Sequence, residues 1–379
     1  MKTGFLVFIT IALSIYILGN WYLFTRLRQS WPEQWQGFSL VITLFLFCAG
    51  CFVLSRFIGH TRYTGLYNIV SWIGYFWLVI LLYSVVILAV FDIVRILNWI
   101  MPFLPDSTSI QYKNLKTFTL LVTCCTLVLV ILTGYFNANN TKIRKISLSS
   151  EKINGKPVVI ALASDLHFGN MVCDKKIQKL VDLINSYNPD IVILAGDLMD
   201  EAHEYTFKNK VGQPLKHLKA SKGVYAIAGN HEYFGGIKGA IQYIKSLGIE
   251  FLRDSVVELD DIVIVGRDDI HNLGTSNTSR MPLSQLIVEK HRNKFILVAD
   301  HQPINLSESA KAKVDLQVSG HTHNGQMWPF IHLVNLAFER AYGLFKIDET
   351  NFYITSGFGT WGPPIRLGSN SEIAIITIN

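Results

Sequence analysis

Charge and cysteine are both scarce in this 379-residue chain. Only 16% of its residues are charged against 50% hydrophobic, and the shortage is uneven. The first 136 residues hold 8 basic and 3 acidic side chains, and the remaining 243 hold 26 and 25. The formal charge of +6 therefore divides into +5 and +1. That split excludes a nucleic-acid-binding domain carrying charge of one sign, so no nucleic acid is expected as a partner. Of the five cysteines, Cys48, Cys51, Cys124 and Cys125 lie in apolar runs and Cys173 is alone in the polar part. Neither a disulfide framework nor a cysteine-based zinc site can be built there. Internal repeats and low-complexity tracts are missing as well, and aliphatic and aromatic side chains abound in both parts, which excludes intrinsic disorder.

What the first part has instead is long uncharged runs. Residues 4–24, 38–54, 69–91 and 118–136 suit helices crossing roughly 30 Å of hydrocarbon, and they predict a four-span transmembrane region over residues 1–136. A cleaved leader is disfavoured, because no small-x-small site follows the first run before Trp31-Pro32-Glu33. Four spans put both ends on one face. Lys2, Arg56, Arg62, Lys142, Arg144 and Lys145 stand against Arg26, Arg28, Arg95, Lys113 and Lys116, a six-to-five lean toward a cytoplasmic C-terminal part. The runs contain no ionisable residue, which argues against a transporter.

Residues 137–152, rich in Asn, Lys and Ser, read as a linker or a first edge strand before a folded domain over 153–379. Short β-branched runs then alternate with helical spacing. Residues 158–163, 191–194 and 224–228 predict strands, while Ile177, Leu180, Val181 and Ile184, and then Ile237, Ala240, Ile241 and Ile244, predict helices. Past Phe295 strands dominate, at 295–299, 316–318, 341–347, 351–355 and 372–378. The pattern predicts an α/β fold, a mixed two-sheet sandwich flanked by helices.

The chemistry-bearing residues sit where five of these strands stop. They are Asp165-Leu166-His167, Gly196-Asp197-Leu198-Met199-Asp200, Gly229-Asn230-His231-Glu232, Asp300-His301 and Gly320-His321-Thr322-His323. Each block alone has an ordinary structural use: Gly-Asp commonly serves a turn, and His231 behind Asn230 suits a helix start. Together they place five of the ten histidines of the polar part at strand ends beside Asp165, Asp197 and Asn230. That mixed nitrogen and oxygen set suits Mn, Fe or Zn rather than an all-oxygen Ca or Mg site.

In order and spacing these blocks resemble the calcineurin-like metallophosphoesterase superfamily, over about residues 158–378. The resemblance implies a four-layer α/β/β/α sandwich, here preceded by the four-helix transmembrane region, carrying two divalent transition-metal ions, with Mn favoured. One ion would take Asp165, His167, Asp197 and His323, and the other Asp197, Asn230, His301 and His321, with Asp197 bridging. His231 would face the substrate, steadied by Asp200. Glu232 is assigned by default to helix capping or to supporting a ligand. Two such ions roughly 3.5–4 Å apart supply an activated hydroxide nucleophile and neutralise a phosphoryl group. A protonated His231 would help the leaving oxygen.

Gly320-His321-Thr322-His323-Asn324-Gly325-Gln326, Gly357-x-Gly359 and Gly362-Pro363-Pro364-Ile365-Arg366 are similar to segments of membrane-associated bacterial phosphoesterases, a group that includes enzymes hydrolysing UDP-2,3-diacylglucosamine. Asn324 departs from the usual glycine. The reading that follows is a membrane-anchored two-metal phosphoesterase of a bacterial plasma membrane, cutting phosphodiester or pyrophosphate bonds, with a lipid-linked substrate and the bilayer as expected partners. Arg366 is a candidate phosphate grip or a surface ion pair, and 267–281 a lid or a plain loop. The competing readings are a catalytically decayed membrane scaffold and a sensor or transport unit regulated by the domain. Oligomeric state is not legible.

Overall fold

A computed structural model of the chain describes residues 2–32, 34–58, 64–200, 203–271 and 280–379. It divides into two compact units, Met1–Thr133 and Gly134–Asn379.

The first unit is helical, with α1 (Lys2–Ser30), α2 (Phe38–Leu54), α3 (Thr64–Ile100) and the larger part of α4 (Ile110–Asn139). Each apolar run of the sequence lies inside one helix. By length and composition two described helices, Gly65–Ile100 and Ile110–Asn139, can cross a membrane, while Phe38–Leu54 is apolar but only 17 residues long. The close approach of α2 and α3 depends on Gly74, whose missing Cβ would lie 2.6 Å from Phe52 Cα. Tyr16 Oη donates to Ala49 O at 2.6 Å and Trp77 Nε1 to Asn20 Oδ1 at 3.0 Å, joining α1 to α2 and α3. The helices outrun the uncharged runs, and α3 therefore contains Asp92 and Arg95. Asp92 is held by Arg26 at 2.6 Å, Arg95 at 3.0 Å and the Tyr22 hydroxyl at 2.6 Å.

The second unit contains two six-stranded sheets. The first has the order β1-β12-β2-β3-β4-β5 and the second β10-β11-β9-β8-β7-β6. In the first sheet β1 (Lys142–Leu148) runs parallel to β12 (Glu372–Ile378). β12 is antiparallel to β2 (Val158–Ala163), and β3 (Ile191–Leu194), β4 (Val224–Ile227) and β5 (Glu250–Leu252) follow β2 in parallel. In the second sheet β7 (Ile262–Gly266), β8 (Phe295–Ala299), β9 (Leu316–Ser319) and β11 (Thr350–Ile354) are parallel. β6 (Ser255–Glu258) and β10 (Gly343–Ile347) form antiparallel edges.

The central strands are buried on both faces, which is why they read as continuous apolar runs. On β2, Ile160 and Leu162 enter the core between the sheets, while Ala161 and Ala163 face the helices. On β8, Phe295 and Leu297 face inward, and Ile296 and Val298 join a third core with Leu283 and Leu286. The layers are therefore helix, sheet, sheet, helix. Among the described residues the α-helices are α5 (Asp174–Asn185), α6 (His203–Asn209), α7 (Asn230–Phe234), α8 (Ile237–Ser246), α9 (Leu283–Leu286), α10 (Leu306–Lys311) and α11 (Phe330–Ala337). Along α5 the buried residues are Ile177, Leu180, Val181 and Ile184, one stripe at helical spacing. The sequence pattern did not anticipate β5, β6 or β7. Residues 142–148, left open between linker and edge strand, pair with β12 over their whole length.

Candidate metal centre

Five parallel strands end at one place, β2, β3 and β4 of the first sheet and β8 and β9 of the second. Two or three residues past each end stands a candidate ligand: Asp165 after Ala163, Asp197 after Leu194, Asn230 after Ile227, His301 after Ala299 and His321 after Ser319. Loops at the edge of a rigid sheet bring residues far apart in sequence to one point. Among the described residues three groups of side chains result, each with potential ligand atoms within 4.8 Å of one another: Asp165, His167 and His323; Asp197, His301 and His321; and His167, Asp200 and His231.

The contacts inside these groups are short. His167 Nε2 lies 3.1 Å from His323 Nε2, which is 3.4 Å from Asp165 Oδ1, and His301 Nε2 lies 3.2 Å from Asp197 Oδ2. Burial pushes His167 and His323 well below the ordinary histidine value and His321 down to about 4, so these rings are neutral, the form that ligates a metal. Burial likewise pushes Asp165 up to about 6. Burial opposes ionisation of Asp197 and His301 as well, yet the attraction between the two prevails: Asp197 is held well below the carboxylate range and His301 well above its own.

Asn230 Oδ1, His301 Nε2 and His167 Nδ1 are among the buried polar atoms that make no hydrogen bond. An unsatisfied buried polar group costs about 1–3 kcal/mol, and a divalent cation would satisfy the first two. The remaining ring nitrogen of His301, Nδ1, is occupied by Ala195 O at 2.8 Å, which leaves Nε2 as the atom a metal could take. The donor set therefore fits divalent metal ions.

The backbone is strained at the same positions. Asp165, His167, Asp197, His321 and His323 all have positive φ, at 54°, 47°, 49°, 69° and 48°. Non-glycine residues in that region cost on the order of 1–3 kcal/mol each and persist only where their surroundings over-determine them. Here the surroundings do. The His321 N–H donates to both oxygens of Asp165, at 3.0 and 3.1 Å, and the His167 N–H to Asp197 O at 3.1 Å. Glycines make room for the carboxylates: a Cβ at Gly229 would overlap Asp197 Oδ1, one at Gly320 would overlap Ser164 Oγ, and one at Gly357 would lie 2.7 Å from Asp165 Cβ.

Glu232 has both roles assigned to it by default. Its fully buried carboxylate accepts the N–H of Gly229 at 2.7 Å, capping α7, and those of Asp197, Leu198 and Met199 at 3.0, 2.9 and 3.0 Å, fixing the loop that carries Asp197. His231, one residue before it, donates its N–H to Asp197 Oδ1 at 2.9 Å. Its ring stands 3.8 Å from Asp200 Oδ1 and edge-on to His167, with centroids 4.6 Å apart. His231 thus borders the candidate ligands while Asp200 lies at ion-pair distance behind it.

Arg366 requires a correction. It is neither a phosphate grip nor a surface ion pair, because it is fully buried and spent on backbone carbonyls. Its guanidinium donates to Ser356 O at 2.8 Å, Gly357 O at 3.1 Å and Gly359 O at 2.7 Å, and lies 3.3 Å from His323 Nδ1. Burial lowers it to about 10. It positions the Gly357–Gly359 turn behind Asp165 and His323. Of the candidate lid 267–281, residues 272–279 lie outside the described residues. Arg267 is buried against Asp254 and Glu308, at 3.5 and 3.3 Å.

Sequence reasoning missed the wall beside His231. Phe234 packs against both His231 and His271, with centroids 5.6 and 5.2 Å away, and Asp269 accepts from His271 and from Gln302, both at 3.0 Å. The only signal was local: Phe234 follows the Gly229 block, and Gln302 follows His301.

The fold and donor set define a metal-dependent hydrolase of phosphate esters. The family described as calcineurin-like phosphoesterase matches residues 158–325. A Helicobacter pylori protein named an uncharacterised metallophosphoesterase is 30% identical over 70% of this chain and 72% of its own length. An Aquifex aeolicus metallophosphoesterase, also uncharacterised by name, is 31% identical over 62% of this chain and 91% of its own. A Danio rerio relative named a transmembrane protein with metallophosphoesterase domain is 33% identical over 60% of this chain, which spans only 54% of that protein. The chain belongs to the calcineurin-like phosphoesterase family, and it is a metal-dependent phosphoesterase with membrane-associated relatives.

Proposed function

We propose that the chain is a multi-pass membrane phosphoesterase of a bacterial plasma membrane, with its catalytic unit on the cytoplasmic face. It would hydrolyse phosphodiester or pyrophosphate bonds of a bilayer-borne, lipid-linked substrate. The four-span arrangement rests on four uncharged runs each falling within one helix, two of them long enough by themselves. Asp165, His167, Asp197 and His323 would hold one ion and Asp197, Asn230, His301 and His321 the other, with Mn favoured by the mixed nitrogen and oxygen donors. When bound, such a pair supplies an activated water nucleophile and neutralises the phosphoryl oxygens.

The rest falls to the chain's own groups. Asp197, whose Oδ2 lies 3.2 Å from His301 Nε2 and whose Oδ1 accepts the His231 N–H, is oriented from both sides and would be the bridging carboxylate. His231, bordering the ligands and within reach of the Asp200 carboxylate, would hold a proton for the leaving oxygen. The observation carrying the reading is the convergence of three ligand groups at five strand ends, with Asn230 Oδ1 and His301 Nε2 buried and unsatisfied. The test is hydrolysis of bis(p-nitrophenyl) phosphate by the full chain in detergent, after chelation and after return of Mn, Fe, Zn or Mg. Return of activity with none of them would reject the proposal.

A further inference from the structure

Helix α11 is an anomaly in the catalytic unit. Its sequence, FIHLVNLA, is apolar enough for a core helix, yet none of its eight residues is buried. Phe330, Leu333 and Leu336 recur every three residues along one face and are 38%, 60% and 84% exposed. Trp328 just before the helix is 45% exposed, and Trp361, on the loop that Gln326 binds, is 59% exposed. Gln326 joins these parts: its Nε2 donates to Trp361 O at 3.0 Å and its Oε1 accepts the Trp361 N–H at 2.9 Å. Contiguous exposed apolar surface of this kind marks a contact with another protein or with a membrane.

The identity of the partner follows from where the chain enters the unit. The last turns of α4 belong to this unit and rest on residues 365–367. Gly134 O accepts the Arg366 N–H at 2.9 Å, and a Cβ at Gly134 would lie 2.5 Å from Ile365 Cγ2. Leu367 O, one residue on, accepts the Trp328 N–H at 2.6 Å. The patch therefore borders the point at which a helix long enough to cross a membrane joins the catalytic unit. Exposed leucine and phenylalanine on the helix, with Trp328 and Trp361 on the adjoining segments, suit the boundary between headgroups and acyl chains.

The patch also adjoins the metal ligands. Phe338, which follows α11, packs edge-on against His321 with centroids 5.7 Å apart, and Thr322 Oγ1 donates to Ala341 O at 2.7 Å. The excursion that carries α11 leaves from the His321–His323 loop and returns to it.

We propose that α11, with Trp328 and Trp361, is an interfacial docking element that seats the catalytic unit on the lipid bilayer and brings the metal centre to headgroup depth. The docking stands on the exposed surface and its place in the fold. Only its use, presentation of lipid phosphoesters, rests on the phosphoesterase reading.

The test is local depth measurement in the full chain. Cys48, Cys51, Cys124, Cys125 and Cys173 are replaced by serine or alanine, Leu336→Cys is labelled with an environment-sensitive fluorophore, and the protein is placed in phosphatidylcholine–phosphatidylglycerol proteoliposomes. Because Leu336 is 84% exposed, the substitution leaves the fold intact. Nitroxide-labelled lipid is expected to quench the label at least about twofold while iodide on both sides quenches little. Adding Phe330→Glu and Leu333→Glu is expected to invert that ratio. Iodide quenching without lipid quenching overturns the proposal. Shielding from both, with cross-linking between labelled chains, overturns it in favour of a second copy. Hydrolysis of bis(p-nitrophenyl) phosphate by the same samples separates the two readings: lipid quenching without hydrolysis leaves the docking standing and removes the enzyme, and the reverse result removes the docking alone.

Discussion

Glu232 Oε2 accepts the backbone N–H of Asp197 at 3.0 Å. The same carboxylate takes Leu198, Met199 and Gly229, so one buried side chain fixes the loops that present Asp197 and Asn230.

Glu232→Gln is therefore expected to be far from conservative. Its amide NH2 would face N–H donors that need an acceptor, at a cost of about 2–3 kcal/mol for a buried charge-assisted network. Thermal melts should show the loss, and metal analysis should show reduced occupancy although Glu232 is in none of the ligand groups.

Asp197→Asn and His231→Ala should fail differently. Asp197 is oriented by both His301 and the His231 N–H, and its loss is expected to lower metal content and rate together. His231→Ala should keep its metal and lose on the order of 10² to 10⁴ in rate on alkyl phosphodiesters, with a smaller defect on nitrophenyl esters, whose leaving groups need less protonation. Rates on two esters of different leaving-group acidity, measured beside metal content, check both. Metal loss in His231→Ala would reassign it as a ligand.

Gly320→Ala is expected to damage the site through sterics alone, since the new Cβ would overlap Ser164 Oγ beside Asp165. Gly248→Ala is the control, because Gly248 has φ +79° and open space around it. The control should cost about 1 kcal/mol of stability at constant metal affinity, whereas Gly320→Ala should weaken metal binding measurably in a chelator competition.

Arg366→Lys should behave as a core lesion. Lysine cannot reproduce a fork that reaches the carbonyls of Ser356, Gly357 and Gly359 together. A loss of about 3 kcal/mol or more is expected from orphaned buried carbonyls, seen as a lower melting temperature of the full chain. A variant that kept its stability and raised only KM would restore the phosphate-grip role.

The metal-dependent phosphoesterase class was legible in the sequence. Every proposed ligand is of a residue type that divalent metals take, and each follows a largely buried strand that reads as an apolar run. The strands at 158–163, 191–194, 295–299 and 372–378 were legible for the same reason. Tertiary structure alone decided what depended on partners distant in the chain. Residues 142–148 became a strand because β12, more than 200 residues later, offers its edge. Arg366, which resembles a solvated cation in sequence, went inside because the carbonyls of residues 356–359 turn toward it. The apolar pattern of α11 announces a core helix, but its neighbours leave it uncovered. Local sequence encodes which face of an element is apolar, and only the packing of the whole unit determines whether anything meets that face.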